Sequence, residues 1–127
     1  MKEIMVKGKK YKFVNLTPHV IRFWQKSWAE PVEVESDGIL SATVVERPTR
    51  GVHKELEYVT PTFKGNESGY KLVAAMCDEY GEDTLLIGSI IAAQAYPGHV
   101  VTMVAAPGYE RVPPAEKRMR PDKFTVY

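Results

Sequence analysis

Residues 10–24 read KYKFVNLTPHVIRFW, and this stretch decides the fold that we expect for the chain. Side chains alternate in character along residues 10–14 and again along 20–24, which is the two-residue period of a strand. Between them lies Asn15-Leu16-Thr17-Pro18-His19, where Pro18 fixes φ and three polar side chains can donate or accept hydrogen bonds. The stretch predicts two strands joined by a polar loop that could bind a ligand.

The remainder of the first half keeps the same period. Residues 32–35 alternate, and Ser36-Asp37-Gly38 has the composition of a hairpin turn. Two further runs, 42–47 and 52–59, are ended by Pro48 and by Thr60-Pro61. These signals predict an N-terminal β-meander.

The second half begins with a helical period. Apolar residues recur on one face of a predicted helix, at Tyr70, Val73, Ala74, Cys77 and Tyr80. Ser68 is the expected N-cap, and Gly81 is the expected residue just beyond the C-terminus. An amphipathic helix on the surface of the core follows from this pattern.

A strand, a second helix and another strand follow. Residues 84–87 read as a short buried strand, and 90–96 as a nearly all-apolar, buried helix that Pro97-Gly98 stops. Residues 100–104 supply the next strand, which makes a parallel crossover feasible, and 124–127 a last one. We therefore expect one α+β (mixed α/β) domain over residues 1–127, with a meander followed by helix-strand-helix-strand packing on a mixed sheet.

The composition narrows the classes of partner. A formal net charge of +1 argues against a nucleic-acid polymer, because duplex-binding proteins carry a clear basic excess. The single Cys77 cannot form an intrachain disulfide, which favours a reducing compartment, and cytoplasmic is the expected location. No apolar stretch is long enough for an export signal or a membrane span, so a membrane partner is not expected.

The predicted start of the second helix is one candidate anion site. Ser89 follows a buried strand, so the free N–H groups of the first helical turn could face a phosphate or carboxylate. The alternative is that Ser89 only caps the helix. The glycine pattern of dinucleotide- and triphosphate-binding loops is absent.

Histidines and arginines supply the remaining candidates. His19, His53 and His99 are too far apart for a zinc site, so neither a metal nor a cofactor is expected. His19 could act as a general base or contact a ligand, or could hydrogen-bond its own loop. Arg47 and Arg111 stand at expected strand and loop ends, where a guanidinium could grip a phosphate or simply be solvated.

Three segments together resemble a family of small proteins encoded largely by bacteriophages. They are the 15–19 motif, the run LIGSIIAAQA at 86–95, and Ala106-Pro107 after a valine-rich strand. The resemblance implies an arginine-bearing strand after the first hairpin, which residues 44–47 would match, and a closing strand at the C-terminus. It differs in the helix around 70–80 and in the basic tail.

The phage setting implied by the resemblance suggests a non-catalytic sponge in the host cytoplasm. Such a protein would sequester a small nucleotide-derived immune signal, either a cyclic nucleotide or an ADP-ribose derivative, and could form a homo-oligomer. The expected ligand-binding residues are Asn15, Thr17, His19, Arg47, Ser89 and Arg111, with no catalytic residue. The alternatives are a phage accessory or morphogenesis protein, and a metal-independent phosphodiesterase or hydrolase that uses His19.

Overall fold

The computed structural model describes residues 1–127 as nine strands, two α-helices and one 3₁₀ turn. In chain order these are β1 (Lys2–Val6), β2 (Lys9–Asn15), β3 (Ile21–Phe23), β4 (Val32–Val34), β5 (Thr43–Thr49), β6 (Tyr58–Lys64), α1 (Glu67–Tyr80), β7 (Thr84–Ile87), α2 (Ile90–Ala95), β8 (Thr102–Ala105), the 3₁₀ turn (Pro114–Glu116) and β9 (Met119–Thr125). The predicted α+β class with an N-terminal meander is confirmed. Neither α-helix is long and apolar enough to cross a membrane.

The first sheet has the order β1-β2-β7. β1 and β2 form an antiparallel hairpin whose turn, Lys7-Gly8, has positive φ at both residues, as a tight two-residue hairpin turn requires. β2 and β7 run parallel and are buried on both faces at their carboxyl ends. This double burial explains the unbroken apolar run of Phe13 and Val14, because buried parallel strands lose the polar half of the alternation.

The second sheet has the order β4-β3-β9-β8. β3 and β9 are parallel, so the strand that follows the 15–19 loop lies beside the last strand of the chain. A parallel bridge between Ile87 and Val101 links the sheets, which places β7 and the chain entering β8 next to each other, as the predicted crossover requires. β9 starts at Met119, earlier than the predicted start at residue 124. The strand can include Pro121 because this residue falls where the register between β8 and β9 shifts, so its missing N–H costs no ladder hydrogen bond.

Two apolar cores lie on either side of β2 and β7. One fills the space between the two sheets, where the Phe13 and Phe23 rings meet edge to face with centroids 4.9 Å apart. The other lies between the first sheet and the helices and contains Leu86 and the fully buried Tyr96. Because both cores share the same two strands, the loops at the carboxyl ends of these strands are held from both sides.

The caps of the helices are partly as predicted. Ser89 caps α2, and Gly81 follows α1 with φ of 73°. The predicted Ser68 cap is wrong. The N-cap is Asn66, whose side chain accepts the N–H of Gly69 at 2.8 Å, and α1 begins at the next residue, Glu67. The predicted buried helix, α2, is buried on one face only: Ala92, Ala93 and Ala95 are buried, whereas Ile90 is 57% exposed.

β5 and β6 form a separate two-stranded arm. The hairpin predicted at Ser36-Asp37-Gly38 is therefore wrong: β4 pairs with β3, and β5 pairs with β6. The physical reason is that Ser36 and Asp37 hydrogen-bond the 15–19 loop instead of closing a turn between strands.

Candidate functional site

The side chain of Asn15 holds the 15–19 loop together. Asn15 is fully buried, and its Nδ2 donates to the carbonyls of His19 at 2.6 Å and Val34 at 3.0 Å. Its Oδ1 accepts from the backbone N–H and the hydroxyl of Thr17, at 2.9 and 2.7 Å. Every hydrogen-bonding group of the amide is thus engaged by protein, so Asn15 acts on the shape of the loop.

Thr17 is engaged in the same network. Its hydroxyl is buried and lies within hydrogen-bonding distance of both Asn15 Oδ1 and the His19 carbonyl. Ser36 adds a further bond from outside the loop, since its hydroxyl donates to the Thr17 carbonyl at 2.6 Å. The loop is consequently rigid, and its polar side chains stabilise it from within.

His19 differs from the other two polar residues of the loop. Its side chain is exposed, and the loop's hydrogen bonds involve only its backbone N–H and carbonyl. The imidazole is therefore free to donate to or accept from a ligand, with one nitrogen protonated and the other not in the neutral form.

A cleft of about 400 Å³ opens beside this loop, and we call it the loop cleft. Four parts of the chain form its walls: the loop with the start of β3, the residue that caps α2, strand β8, and the segment from the 3₁₀ turn to the start of β9. The polar lining residues are Thr17, His19, Arg22, Ser89 and Lys117, and the apolar ones are Pro18, Val20, Ile21, Met103, Pro114 and Met119. Three predicted site residues, Thr17, His19 and Ser89, therefore meet in one place.

Ser89 serves mainly as the helix cap. Its Oγ accepts the N–H of Ala92 at 3.1 Å, the ordinary geometry of an N-cap. The hydroxyl hydrogen is still available to a ligand in the loop cleft, because the residue is exposed there.

Arg47 and Arg111 do not lie in the loop cleft. Arg47 is exposed on β5 of the arm, where it pairs with Thr60. Arg111 is exposed in the segment after the Pro107-Gly108 turn and does not line the cleft. The structure therefore does not bring these two arginines to the loop cleft; for Arg47 the reason is that β5 pairs with β6 outside the two main sheets.

Two other cations, Arg22 and Lys117, line the loop cleft in place of Arg47 and Arg111. Arg22 projects from β3; its Nε lies 3.4 Å from Glu33 Oε1, and one terminal nitrogen donates to the Ala115 carbonyl at 3.3 Å. Lys117 donates to the Glu110 carbonyl at 3.1 Å and forms no ion pair with a carboxylate. The positive charge of Lys117 is therefore the less compensated of the two.

Sequence reasoning assigned neither residue to the predicted site, although Lys117 belongs to a basic tail cluster that could add positive potential or only solubility. Arg22 resembles the outward residue of an alternating strand, and Lys117 resembles one of several solubilising charges in the tail. The only local signals are that Arg22 follows the motif by three residues and that Lys117 follows a Pro-Pro pair that restricts the chain. Their proximity depends on the pairing of β3 with β9.

No family model matches the chain, and no curated protein or solved structure matches it significantly. No group of three or more histidine, cysteine, aspartate or glutamate side chains is arranged to hold a metal ion. The resemblance to phage-encoded proteins stays a prediction, as does ligand binding by the six residues expected from the sequence.

Proposed function

We propose that this chain binds a small anionic ligand derived from a nucleotide, and that the ligand lies in the loop cleft. The observation that carries the proposal is the convergence of Arg22 and Lys117 with the free imidazole of His19 in one cleft that also has apolar walls. Cations recognise phosphate oxygens, and apolar walls accept a base or the carbon face of a ribose. A volume of about 400 Å³ is in the range typical of small-molecule sites.

Lys117 is the expected main contact for the anion. Its ammonium group has only a neutral carbonyl as partner, whereas Arg22 has a carboxylate beside it. An ammonium bound to a neutral acceptor keeps its full charge for a ligand, and it can form further hydrogen bonds since it has three donors.

The apolar side of the cleft supports recognition of the uncharged part of a nucleotide. Met103 and Met119 come from the neighbouring strands β8 and β9, and Ile21 comes from β3. Methionine adapts its shape to a flat ring more readily than a branched residue does, because it has three rotatable bonds and a polarisable sulfur. Stacking against these side chains would orient a base or ribose while the cations hold the phosphate.

In the phage setting that the resemblance implies, the ligand would be an immune signal of the host. A cyclic nucleotide and an ADP-ribose derivative both combine phosphate with a base and a ribose. Sequestration requires only tight binding, since each bound molecule is removed from the pool of free signal.

His19 supports a second candidate, a metal-independent phosphodiesterase or hydrolase. Its exposed imidazole lies in the same cleft as the two cations, so it could accept a proton from an attacking water or hydroxyl. The accessory or morphogenesis role is the third outcome, in which no small molecule is bound.

One experiment separates these roles. The purified chain is heat-denatured, and the released small molecules are identified by mass spectrometry, both as purified and after incubation with ADP-ribose or a cyclic nucleotide. An intact nucleotide in the released fraction supports sequestration, and a converted one supports hydrolysis with His19→Gln expected to abolish conversion. Absence of any retained small molecule under all these conditions contradicts both.

Matched charge changes then test the site. Lys117→Gln should weaken ADP-ribose binding at least about tenfold in calorimetry, because a charge-assisted hydrogen bond is worth roughly 1.5–3 kcal/mol. Lys54→Gln removes the same charge at the tip of the arm and should leave the affinity unchanged. Equal losses in the two variants would mean that net charge matters and the loop cleft does not.

A further inference from the structure

Arg118 lies in the angle between two aromatic rings. Its guanidinium carbon is 5.1 Å from the ring centroid of Trp24 and 5.1 Å from that of Tyr109. The two centroids are 5.7 Å apart and the rings are inclined at 66°. The cation thus contacts both π systems at once, an arrangement that favours arginine because its planar, weakly hydrated group can lie against rings.

Hydrogen bonds to backbone carbonyls fix the residues around Arg118. The indole N–H of Trp24 donates to the Trp28 carbonyl at 3.0 Å, and its backbone N–H donates to Met119 at 2.8 Å. Tyr109 closes the tight turn that contains Gly108 at φ of 90°. Arg118 itself accepts the N–H of Ala106 at its carbonyl, 2.8 Å away. A guanidinium that lies between two rings fixed in this manner loses little conformational freedom when it binds an anion.

The guanidinium of Arg118 has no partner of opposite charge. Arg22 pairs with Glu33 and Arg120 pairs with Asp122, but no ion pair or side-chain hydrogen bond involves Arg118. The residue is nevertheless only half-exposed. A partly desolvated guanidinium with unused donors presents a fork that matches the two oxygens of a phosphate or carboxylate.

These donors border a hollow of about 500 Å³ that is separate from the loop cleft and touches it through one residue. Arg22 lines both, so its side chain borders the two spaces. Tyr109 and Val112 add to the wall of the hollow, and Glu116 brings one negative charge to it.

The geometry points to a second anion subsite at Arg118, which takes one of two linked oxyanions of a ligand whose other oxyanion lies in the loop cleft. Arg22, between the two spaces, would contact both groups. The ligand class is therefore a diphosphate, as in a nucleoside diphosphate derivative, in preference to a monophosphate. The link between the two subsites rests on the proposed function, whereas the oxyanion subsite at Arg118 does not.

Glu116 gives the subsite a built-in opposing charge. Its carboxylate shares the hollow with Arg118 and repels an incoming oxyanion at neutral pH. Glu116→Gln should therefore tighten anion binding, by roughly threefold for a charge near the surface. A gain in affinity is a result that loss of folding cannot imitate.

The test compares inorganic pyrophosphate with orthophosphate by calorimetry. In the native chain pyrophosphate should bind at least tenfold more tightly. Arg118→Met keeps an apolar side chain near the rings and removes the fork, so it should abolish this preference, while Glu116→Gln should increase it. Arg50→Met, an equal change on the exposed arm, is the matched control. Equal affinities for the two anions in the native chain would overturn the link between the two subsites, and anion affinities that are unaltered in Arg118→Met would overturn the subsite itself.

A second measurement does not depend on the stability of Arg118→Met. In Trp28→Phe the only remaining indole is Trp24, so an oxyanion on Arg118 should change the fluorescence of the chain with the same midpoint as the calorimetric titration. No change at saturating pyrophosphate would count against the subsite.

The two proposals fail in different ways. If Arg118→Met removes the pyrophosphate preference while Lys117→Gln has no effect on any anion, the Arg118 subsite stands and the loop cleft does not. If Lys117→Gln weakens ADP-ribose but Arg118→Met leaves both ADP-ribose and pyrophosphate unaffected, the loop cleft stands and the second subsite is refuted.

Discussion

A substitution that exchanges one side-chain atom of Asn15 tests most directly whether this amide holds the 15–19 loop together. Asn15→Asp replaces the amide nitrogen by oxygen, so the two donations to the carbonyls of His19 and Val34 are lost while the shape is retained. The new carboxylate would face two carbonyl oxygens inside a fully buried site. It would also lie near Asp37, whose side chain accepts the backbone N–H of Asn15 at 2.9 Å.

The cost follows from these contacts. A buried carbonyl that loses its donor costs about 1–3 kcal/mol, which is the loss expected at Val34, whereas the His19 carbonyl still has the Thr17 hydroxyl 3.1 Å away. A domain of this size unfolds with a free energy of about 5–15 kcal/mol, so a loss of this size is a measurable part of the total stability. Burial disfavours the charged carboxyl and raises its pKa in the folded state above the unfolded value. The deficit should therefore be largest at neutral pH and should shrink as the pH falls and the group becomes protonated.

Asn66→Asp is the matched control, because it makes the same chemical change at a helix cap. Asn66 caps α1 through Oδ1, and aspartate caps a helix equally well and interacts favourably with its N-terminus. We expect a change within about 0.5 kcal/mol there. Urea unfolding followed by tryptophan fluorescence gives both values. A loss below about 1 kcal/mol in Asn15→Asp, or one equal to that of the control, would refute the view that the amide holds the loop.

Three further predictions concern other parts of the fold. Gly69→Ala should destabilise the chain by about 1–3 kcal/mol, because the new Cβ would lie 1.6 Å from the Tyr96 hydroxyl. This clash should outweigh the roughly 1 kcal/mol by which alanine stabilises a helix relative to glycine, and thermal unfolding shows whether the variant is less stable. The hydrogen bond from Arg120 lowers the pKa of Asp122, so a stability difference between the native chain and Arg120→Gln should be present at pH 7 and vanish as the pH falls well below 4; a difference that persists at pH 2 contradicts this. Val59 is 45% exposed on the arm, and if the predicted homo-oligomer uses this surface, Val59→Lys should lower the mass measured by light scattering to that of a monomer.

The sequence predicted those helices and strands whose periodicity and caps lie within a few consecutive residues. The period over α1, the serine before α2 and the apolar run of β7 are each set by one face and one cap. β1 escaped prediction since Met5, which is 57% exposed, gives its solvent face an apolar residue and blurs the alternation. The order of strands was beyond local reasoning, because it depends on which distant partner buries each face best.

The candidate site shows the same division between local and distant causes. The motif 15–19 could be found from its composition, and its position beside Ser89 follows from the pairing of β2 with β7. Arg22 and Lys117 meet because β3 pairs with β9, and the single pair Phe23 with Met119 sets that register. No pattern near Lys117 encodes this contact, so a solvated tail charge and a ligand-binding cation look identical in the sequence.

The roles of the motif and of the cations are therefore separable. Asn15 and Thr17 use their polar groups on the loop itself, so they determine where β3 begins and how Arg22 is presented. Lys117 and Arg118 have groups that the protein leaves without a carboxylate partner, which is the property that anion binding requires. A chain with the motif intact and both cations neutralised should keep its stability and lose its affinity for anions, whereas Asn15→Asp with both cations present should lose stability first. Circular dichroism and calorimetry on these two variants, compared side by side, distinguish a motif that shapes the site from one that contacts the ligand.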